Sequence, residues 1–345
     1  MPAVNINSLR QELQRKYPQL RAPQRYPNQC AWFFVLAVWI LAATVFTVSC
    51  VDAGQWVLAA FASVLLGGLY SSLGLFTHEL LHGSILKNSV LTRVMAWFGF
   101  LIFGLSPELW LTWHNRVHHF NTNKSGVDPD TFGLWEQFQH YPMAGFILKR
   151  APGSRHLLSW LYLPFNFSNQ ALTVMWYFLW KGDRKLYGAV NRGLAVFETL
   201  LMYAFWGVLA WGIGWRAWLL VFLVPAMIAN LVVSSYILVQ HLFCPLTETN
   251  DPLENTLGVS TSPWLDVIHF CFSHHVEHHI FPEFNHSILP GLRVLLRREY
   301  PKRYRLMSHG NALRILLSGP RVYSDANTLW EPGTRRTRDV SNVGR

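Results

Sequence analysis

AWFFVLAVWILAATVFTVS, residues 31–49, carries no charged side chain, and at 1.5 Å of rise per residue a helix of this length reaches across a hydrocarbon layer of ~30 Å. After a short break containing Asp52, a second uncharged run extends from about Trp56 to Phe76. Backbone groups inside lipid must be satisfied within the segment, so both runs predict helices. Working outward, a third stretch from about Val94 to Leu111 is interrupted by Ser106, Pro107 and Glu108, and is expected to dip into the bilayer and return. A second apolar pair follows, approximately Leu194–Trp211 and Trp218–Val239, separated by a turn around Gly212–Arg216. The pattern predicts four spans arranged as two hairpins.

The bulk composition agrees. Of 345 residues 51% are hydrophobic and 14% charged, too apolar for an ordinary soluble enzyme of this size. The net charge of +10 could point to nucleic acid. The basic residues, however, lie mostly outside the apolar runs, where they meet anionic lipid headgroups or hold loops on the cytoplasmic side; no nucleic-acid partner is expected. Cys30, Cys50, Cys244 and Cys271 form no CxxC pair, so neither a disulfide framework nor a zinc knuckle is inferred. The first thirty residues are polar and basic and do not read as a secretory signal. They form a cytosolic segment (1–30), followed by a membrane domain (31–300) and a cytosolic tail (301–345) whose end, TRRTRDVSNVGR, is expected to be disordered. Within the basic block at 112–192, LLSWLYLPF (157–165) and ALTVMWYFLW (171–180) are expected to lie flat on the membrane surface. The positive-inside rule puts this block and both termini on the cytoplasmic side, the inner membrane being the location in a bacterium.

Fifteen histidines are present. Three tight groups stand out: His78 and His82 in HELLH, His114, His118 and His119 in HNRVHH, and His275, His278 and His279 in HVEHH. Each group follows an apolar segment on the expected cytoplasmic side, so folding the hairpins together would gather them into one metal cage. At ~100° per residue, His78 and His82 differ by ~40° and share a helix face. His114, His118 and His119 spread wider and require either a distorted turn or the exclusion of one of them, His114 being the weakest member. A lone histidine is more often a hydrogen-bonded structural residue than a ligand. His140, His156, His269, His274, His286 and His309 are read that way, with a supporting role near the site left open for His269 and His274. HELLH alone is also the HExxH pattern of a zinc peptidase with Glu79 as base, but that chemistry leaves two histidine groups without a role. Imidazole by itself selects no metal. The number of imidazoles favours two irons with open positions for oxygen.

Together the motifs HELLH, HNRVHH and HHVEHHIFP resemble the three histidine boxes of the membrane fatty-acid desaturase-like family, over residues 30–300. The resemblance implies an all-α integral membrane fold: four transmembrane helices in two hairpins under a cytosolic, histidine-rich helical cap, with two Fe ions in the cap and an acyl tunnel leading to them. It also implies a further ligand at the cytosolic end of the fourth span, where His241 stands in YILVQHLF. Acyl-CoA desaturase relatives carry an asparagine one turn earlier; this chain has Ile237, which weakens the transfer of their chemistry in detail. Glu79, Asp128, Asp130 and Glu277 are candidates to orient imidazoles by accepting their distal N–H groups. For the two aspartates of GVDPDTFG, fixing the loop is an equal alternative, since Pro129 favours a turn.

The chemistry so implied is O2-dependent attack on a C–H bond of a fatty-acyl chain. Loss of a second hydrogen gives an alkene, which is the expected outcome; oxygen rebound gives an alcohol, and loss of the carboxyl group gives a terminal 1-alkene. No G-x-G-x-x-G follows a strand and no haem appendage is recognisable, so electrons must come from a separate ferredoxin- or cytochrome-type donor, for which the basic face is suited. A metal transporter or a receptor that kept the fold without the chemistry are the non-enzyme alternatives. Transport calls for ionisable residues near the midplane, and the spans hold only Glu198, close to an end.

Overall fold

The computed structural model describes residues 5–23, 25–87, 90–131, 134–139, 154, 156–181, 184–319, 322–331 and 336–345; His140 lies outside them. In chain order the main helices are α1 (Ile6–Lys16), α2 (Ala31–Asp52), α3 (Trp56–Leu81), α4 (Val90–Phe100), α5 (Pro107–Thr112), α6 (Arg192–Trp218), α7 (Val224–Leu242), α8 (His275–Ile280), α9 (Leu289–Glu299) and α10 (His309–Ser318). The chain divides into two compact units, an apolar one (26–113 and 163–234) and a polar one (1–25, 114–162 and 235–345).

In the apolar unit α2 and α3 pack along each other, joined by a turn in which Gly54 adopts φ 69°, a left-handed conformation that costs glycine little. α2 buries a narrow stripe, Phe33, Leu36, Ile40, Ala43, Thr47 and Cys50. It leaves Val38, Trp39, Leu41 and Phe46 more than half exposed, an outer face made for lipid rather than water. Gly67 of α3 permits a close approach to α7, because a Cβ there would lie 2.6 Å from Ile228 Cβ. Among the described residues, three segments are long and apolar enough to cross a membrane: Pro27–Asp52, Trp56–Leu81 and Arg192–Leu242. The last spans 51 residues, about twice what the hydrocarbon layer accommodates, and is broken at Gly214 (φ 77°, ψ 155°), inside the turn expected from sequence. Val90–Phe103 and Pro107–His118 meet at 101°, so this stretch is a broken span or a re-entrant loop rather than one straight rod. Glu198 is consumed structurally. It accepts hydrogen bonds from Ser106 Oγ (2.5 Å) and the Glu108 N–H (3.1 Å), placing a carboxylate at the N-terminus of α5, where the helix dipole favours it.

In the polar unit α1 lays Leu9 and Leu13 on Val276, Ile280 and Phe281 of and beside α8, in a core shared with α9. Two small sheets depart from the all-α expectation, and the fold is mostly helical. β1 (Gly258–Ser260) pairs in parallel with β2 (Leu306–Ser308); β3 (Val322–Tyr323), β4 (Thr328–Trp330) and β5 (Thr337–Asp339) pair antiparallel. β5 also corrects the expected disorder of the C-terminus. The reason lies in Arg305, which is fully buried and donates to the carbonyls of Phe243 (2.7 Å), Glu254 (2.8 Å), Val340 (2.6 Å) and Val343 (2.9 Å). One cation thereby ties residues 340–343 to the end of α7, and the carbonyl dipoles replace the water it has lost.

Candidate metal centre

The site is built on three local devices. HNRVHH does not continue α5 as an α-helix: Trp113–His118 winds as a π-turn, closed by a bond from the His119 N–H to the His114 carbonyl (3.0 Å). This i→i+5 closure is the distorted turn the wide spacing requires, and it brings His114 Nε2 to 3.2 Å from His119 Nε2. HVEHH forms α8, six residues long and wholly buried. Its approach bends sharply through Phe270 and Cys271, both at positive φ (50° and 52°). His241 stands in the last turn of α7.

Within the polar unit one ring nitrogen from each of His118, His241, His275 and His279 lies within 4.8 Å of the others, and all four residues are buried. Imidazole–metal bonds of about 2 Å set ligands up to ~4 Å apart, so one ion fits among them. The nitrogens themselves argue for it. His275 Nε2 faces His241 Nε2 at 2.7 Å and His279 Nε2 at 3.1 Å, yet a neutral imidazole has a single N–H to give. Thr122 Oγ1 donates to the His118 carbonyl (2.9 Å) and therefore accepts from His279 Nδ1 (3.3 Å), which leaves His279 Nε2 as a bare lone pair. His118 Nδ1 donates to Asp128 Oδ1 (2.9 Å); its buried Nε2 has no hydrogen-bond partner. Burial first, then the neighbouring His119, His275, His118 and His241, hold the His279 imidazole well below the usual histidine range and keep it neutral, as a metal ligand must be.

Asp128 also accepts the N–H groups of Asn123 (2.8 Å) and Asp130 (2.9 Å). One carboxylate thus meets the His118 ring and the loop backbone at once. Asp130 Oδ2 lies 3.3 Å from His118 Nδ1 and 3.8 Å from His114 Nδ1, and His114, His118 and Asp130 form a second possible ligand group. The His278 ring neighbours those of His119 (5.1 Å) and His275 (5.9 Å). His78 and His82 belong to the apolar unit, at the end of α3, with ring centroids 4.6 Å apart and both edge-on to Trp110. Glu79 Oε1 is 3.6 Å from His78 Nδ1, beyond hydrogen-bond range. Glu277 accepts a hydrogen bond from the Tyr304 hydroxyl and lies 3.5 Å from Arg293, and its charge also acts on the His274 imidazole. His274 Nδ1 meets Ser273 Oγ (2.9 Å) and His269 Nδ1 meets the Tyr236 hydroxyl (3.0 Å).

Thr122 and Asn123 escape a reading of the sequence. Asn123, at φ 55°, holds Asp128 through its N–H and the His241 carbonyl through Nδ2 (3.0 Å). The only hint is their place just after HNRVHH, in the polar tripeptide NTN.

The family model described as fatty acid desaturase matches residues 54–311. The Delta(6)-fatty-acid desaturase fat-3 of Caenorhabditis elegans is 26% identical over 245 residues, 64% of this chain and 54% of its own. The Delta(5) fatty acid desaturase fat-4 of the same organism is 22% identical over 249 residues, 64% of this chain and 53% of its own. The Delta(8)-fatty-acid desaturase of Euglena gracilis is 24% identical over 260 residues, 66% of this chain and 58% of its own. The chain spans about half the length of the curated relatives it matches.

Proposed function

From the premise that this chain belongs to the fatty acid desaturase family, we propose that it is a membrane-bound oxidoreductase introducing a carbon–carbon double bond into a fatty-acyl chain. In the balanced reaction two hydrogens leave adjacent carbons, and O2 takes these with two external electrons and two protons to give two waters. The observation that carries the reading is the convergence of buried imidazole nitrogens from His118, His241, His275 and His279, with Nδ1 of His118 engaged by Asp128 and Nδ1 of His279 by Thr122 so that both rings turn Nε2 inward. These residues would hold one iron. His78, His82, His114, His119 and His278 are proposed as the remaining ligands of a two-iron centre, with Glu79, Asp128 and Asp130 beside them. When bound, iron supplies the activation of O2 needed to remove hydrogen from an unactivated methylene. Asp128 and Thr122 keep the Nδ1 protons of His118 and His279 in place, so that each ring presents Nε2 inward. Burial of the cluster excludes water that would compete for the oxidant. The electron donor is a separate ferredoxin- or cytochrome-type protein, and the active site faces the cytoplasm.

The relatives' names favour desaturation among the outcomes open to such a centre. The test is metal analysis of anaerobically purified protein, coupled to mass spectrometry of products from free fatty acids, acyl-CoAs and phospholipids supplied with O2 and a reducing system. About two irons per chain and an O2-dependent alkene of unchanged carbon number are expected. A zinc-only protein, inactive after iron reconstitution, overturns the reading, and a product one carbon shorter replaces desaturation by decarboxylation.

A further inference from the structure

A short helix of the polar unit, Pro263–Ile268, turns its apolar side chains outward. Trp264, Val267 and Ile268 stand at i, i+3 and i+4, on one face of the helix, and are 64%, 63% and 42% exposed. Its one charged side chain, Asp266, lies on the other face and is half-buried. There it accepts hydrogen bonds from Thr261 Oγ1 (2.7 Å) and Ser273 Oγ (2.6 Å). A single exposed apolar side chain needs no explanation. Three in one stripe headed by a tryptophan, with the acid turned inward, invert the pattern of a helix that faces water.

The bonds that follow this helix fix the level at which it stands. His269, which caps its C-terminus, meets the Tyr236 hydroxyl through Nδ1 (3.0 Å). The Phe272 carbonyl accepts from Gln240 Nε2 (2.8 Å). Tyr236 and Gln240 lie in the last two turns of α7, which closes the apolar stretch Arg192–Leu242 after the break at Gly214. From Trp215 to Leu242 a helix rises ~42 Å, the thickness of the hydrocarbon core together with its two headgroup layers. Tyr236 therefore stands ~9 Å short of the end, where hydrocarbon gives way to headgroups, and the segment bonded to it is held at the same level. That boundary is where tryptophan is enriched, its ring in the apolar layer and its N–H toward water.

We propose that the face formed by Trp264, Val267 and Ile268 is inserted in the lipid interface, so that Pro263–Ile268 anchors the polar unit to the bilayer independently of the spans. The anchor stands seven residues ahead of α8 and ties the segment leading into HVEHH to the membrane surface. It does not depend on which metal the histidine cluster holds.

The test is electron paramagnetic resonance of the full chain in phosphatidylcholine nanodiscs, with one nitroxide attached through Val267→Cys. The half-buried native thiols are removed by Cys30→Ser and Cys271→Ser. Power saturation compares collisions with O2, which partitions into hydrocarbon, and with a polar nickel chelate, which does not. Val38→Cys, on the exposed face of α2, is the lipid reference, and the exposed Asp325→Cys is the water reference. Insertion requires an O2-to-nickel ratio at position 267 close to that of the lipid reference and about five-fold above that of the water reference. Adding Trp264→Glu and Ile268→Glu, both at exposed positions where folding is least at stake, should bring the ratio at 267 down to the water reference and leave that at position 38 unchanged. A ratio at 267 equal to the water reference in the otherwise unaltered chain overturns the proposal. So does low access to both reagents, which with dipolar broadening assigns the face to a second copy of the chain and without it to packing inside one copy. A ratio that survives both glutamates overturns the three side chains as the anchor.

Discussion

Single side chains set the protonation of the cluster, and they are where it is most sensitive. His118 gives its Nδ1 proton to Asp128, and His279 gives its own to Thr122. Removing such a partner frees the ring to rotate or to exchange tautomer, which typically costs 10–100-fold in metal affinity. Asp128→Ala is therefore expected to weaken iron binding by about that factor, with Thr122→Val weaker in effect, both read from metal titration of the metal-free protein. Asp128→Asn, which can still accept through Oδ1, should fall between Asp128→Ala and the wild type. Arg305 behaves differently because it touches no candidate ligand among its described partners. Arg305→Met takes the guanidinium away from four carbonyls, of which that of Val340 keeps the Val343 N–H (3.3 Å), and should cost about 1–3 kcal/mol, the range for buried polar groups left unsatisfied. The expected outcome is a lower thermal midpoint in detergent and faster proteolysis near residues 336–345, with iron affinity in the surviving folded fraction unchanged.

Between elements, a single glycine can decide how closely two helices meet. A Cβ on Gly99 of α4 would overlap Thr77 Oγ1 of α3 and sit 2.9 Å from Thr77 Cβ. Gly99→Ala should therefore destabilise by about 1–3 kcal/mol, as overpacking does. Adding Thr77→Ala removes Oγ1 and Cγ2 and should return part of that loss, so a double-mutant cycle is expected to show coupling, whereas strict additivity would place the clash elsewhere. The membrane helices were the legible elements. Residues 31–49 and 56–76 announce themselves because lipid demands an unbroken apolar run, and the turn expected around Gly212–Arg216 is where Gly214 breaks the chain. The elements that sequence could not give depend on partners distant in the chain. β5 needs β4 and the Arg305 guanidinium, and Thr122 and Asn123 acquire meaning only once α7 and α8 stand beside them. HNRVHH is an intermediate case: its spacing leaves open a distorted turn or the exclusion of one histidine, and the backbone bond from His119 to His114 shows the turn to be π.

For the molecule as a whole, the consequence of burying so many imidazoles is sensitivity to acid. The chain already carries a formal charge of +10 with histidines neutral, and each proton added to a histidine on unfolding favours the unfolded state further. His269 lies outside the candidate spans and outside the ligand set. Burial, and then the nearby His309, bring it down to about 4 from the usual histidine value, against a weaker opposing pull from Asp266. With an unfolded value of about 6.5, the unfolded chain binds this proton first. Stability should therefore be retained above pH ~6.5, fall as pH drops from there to about 4 with a slope of at most about 1.4 kcal/mol per pH unit, and change no further on this account below that. The measurement is the thermal midpoint of metal-free protein in detergent between pH 7.5 and 4.5 at constant ionic strength. His269→Gln keeps a hydrogen-bonding group for the Tyr236 hydroxyl but cannot titrate, so its midpoint should fall less steeply over this interval than that of the wild type. An identical slope in the variant would assign the acid sensitivity to other buried groups, with His279, whose neutrality is enforced by burial and four neighbouring imidazoles, first among them.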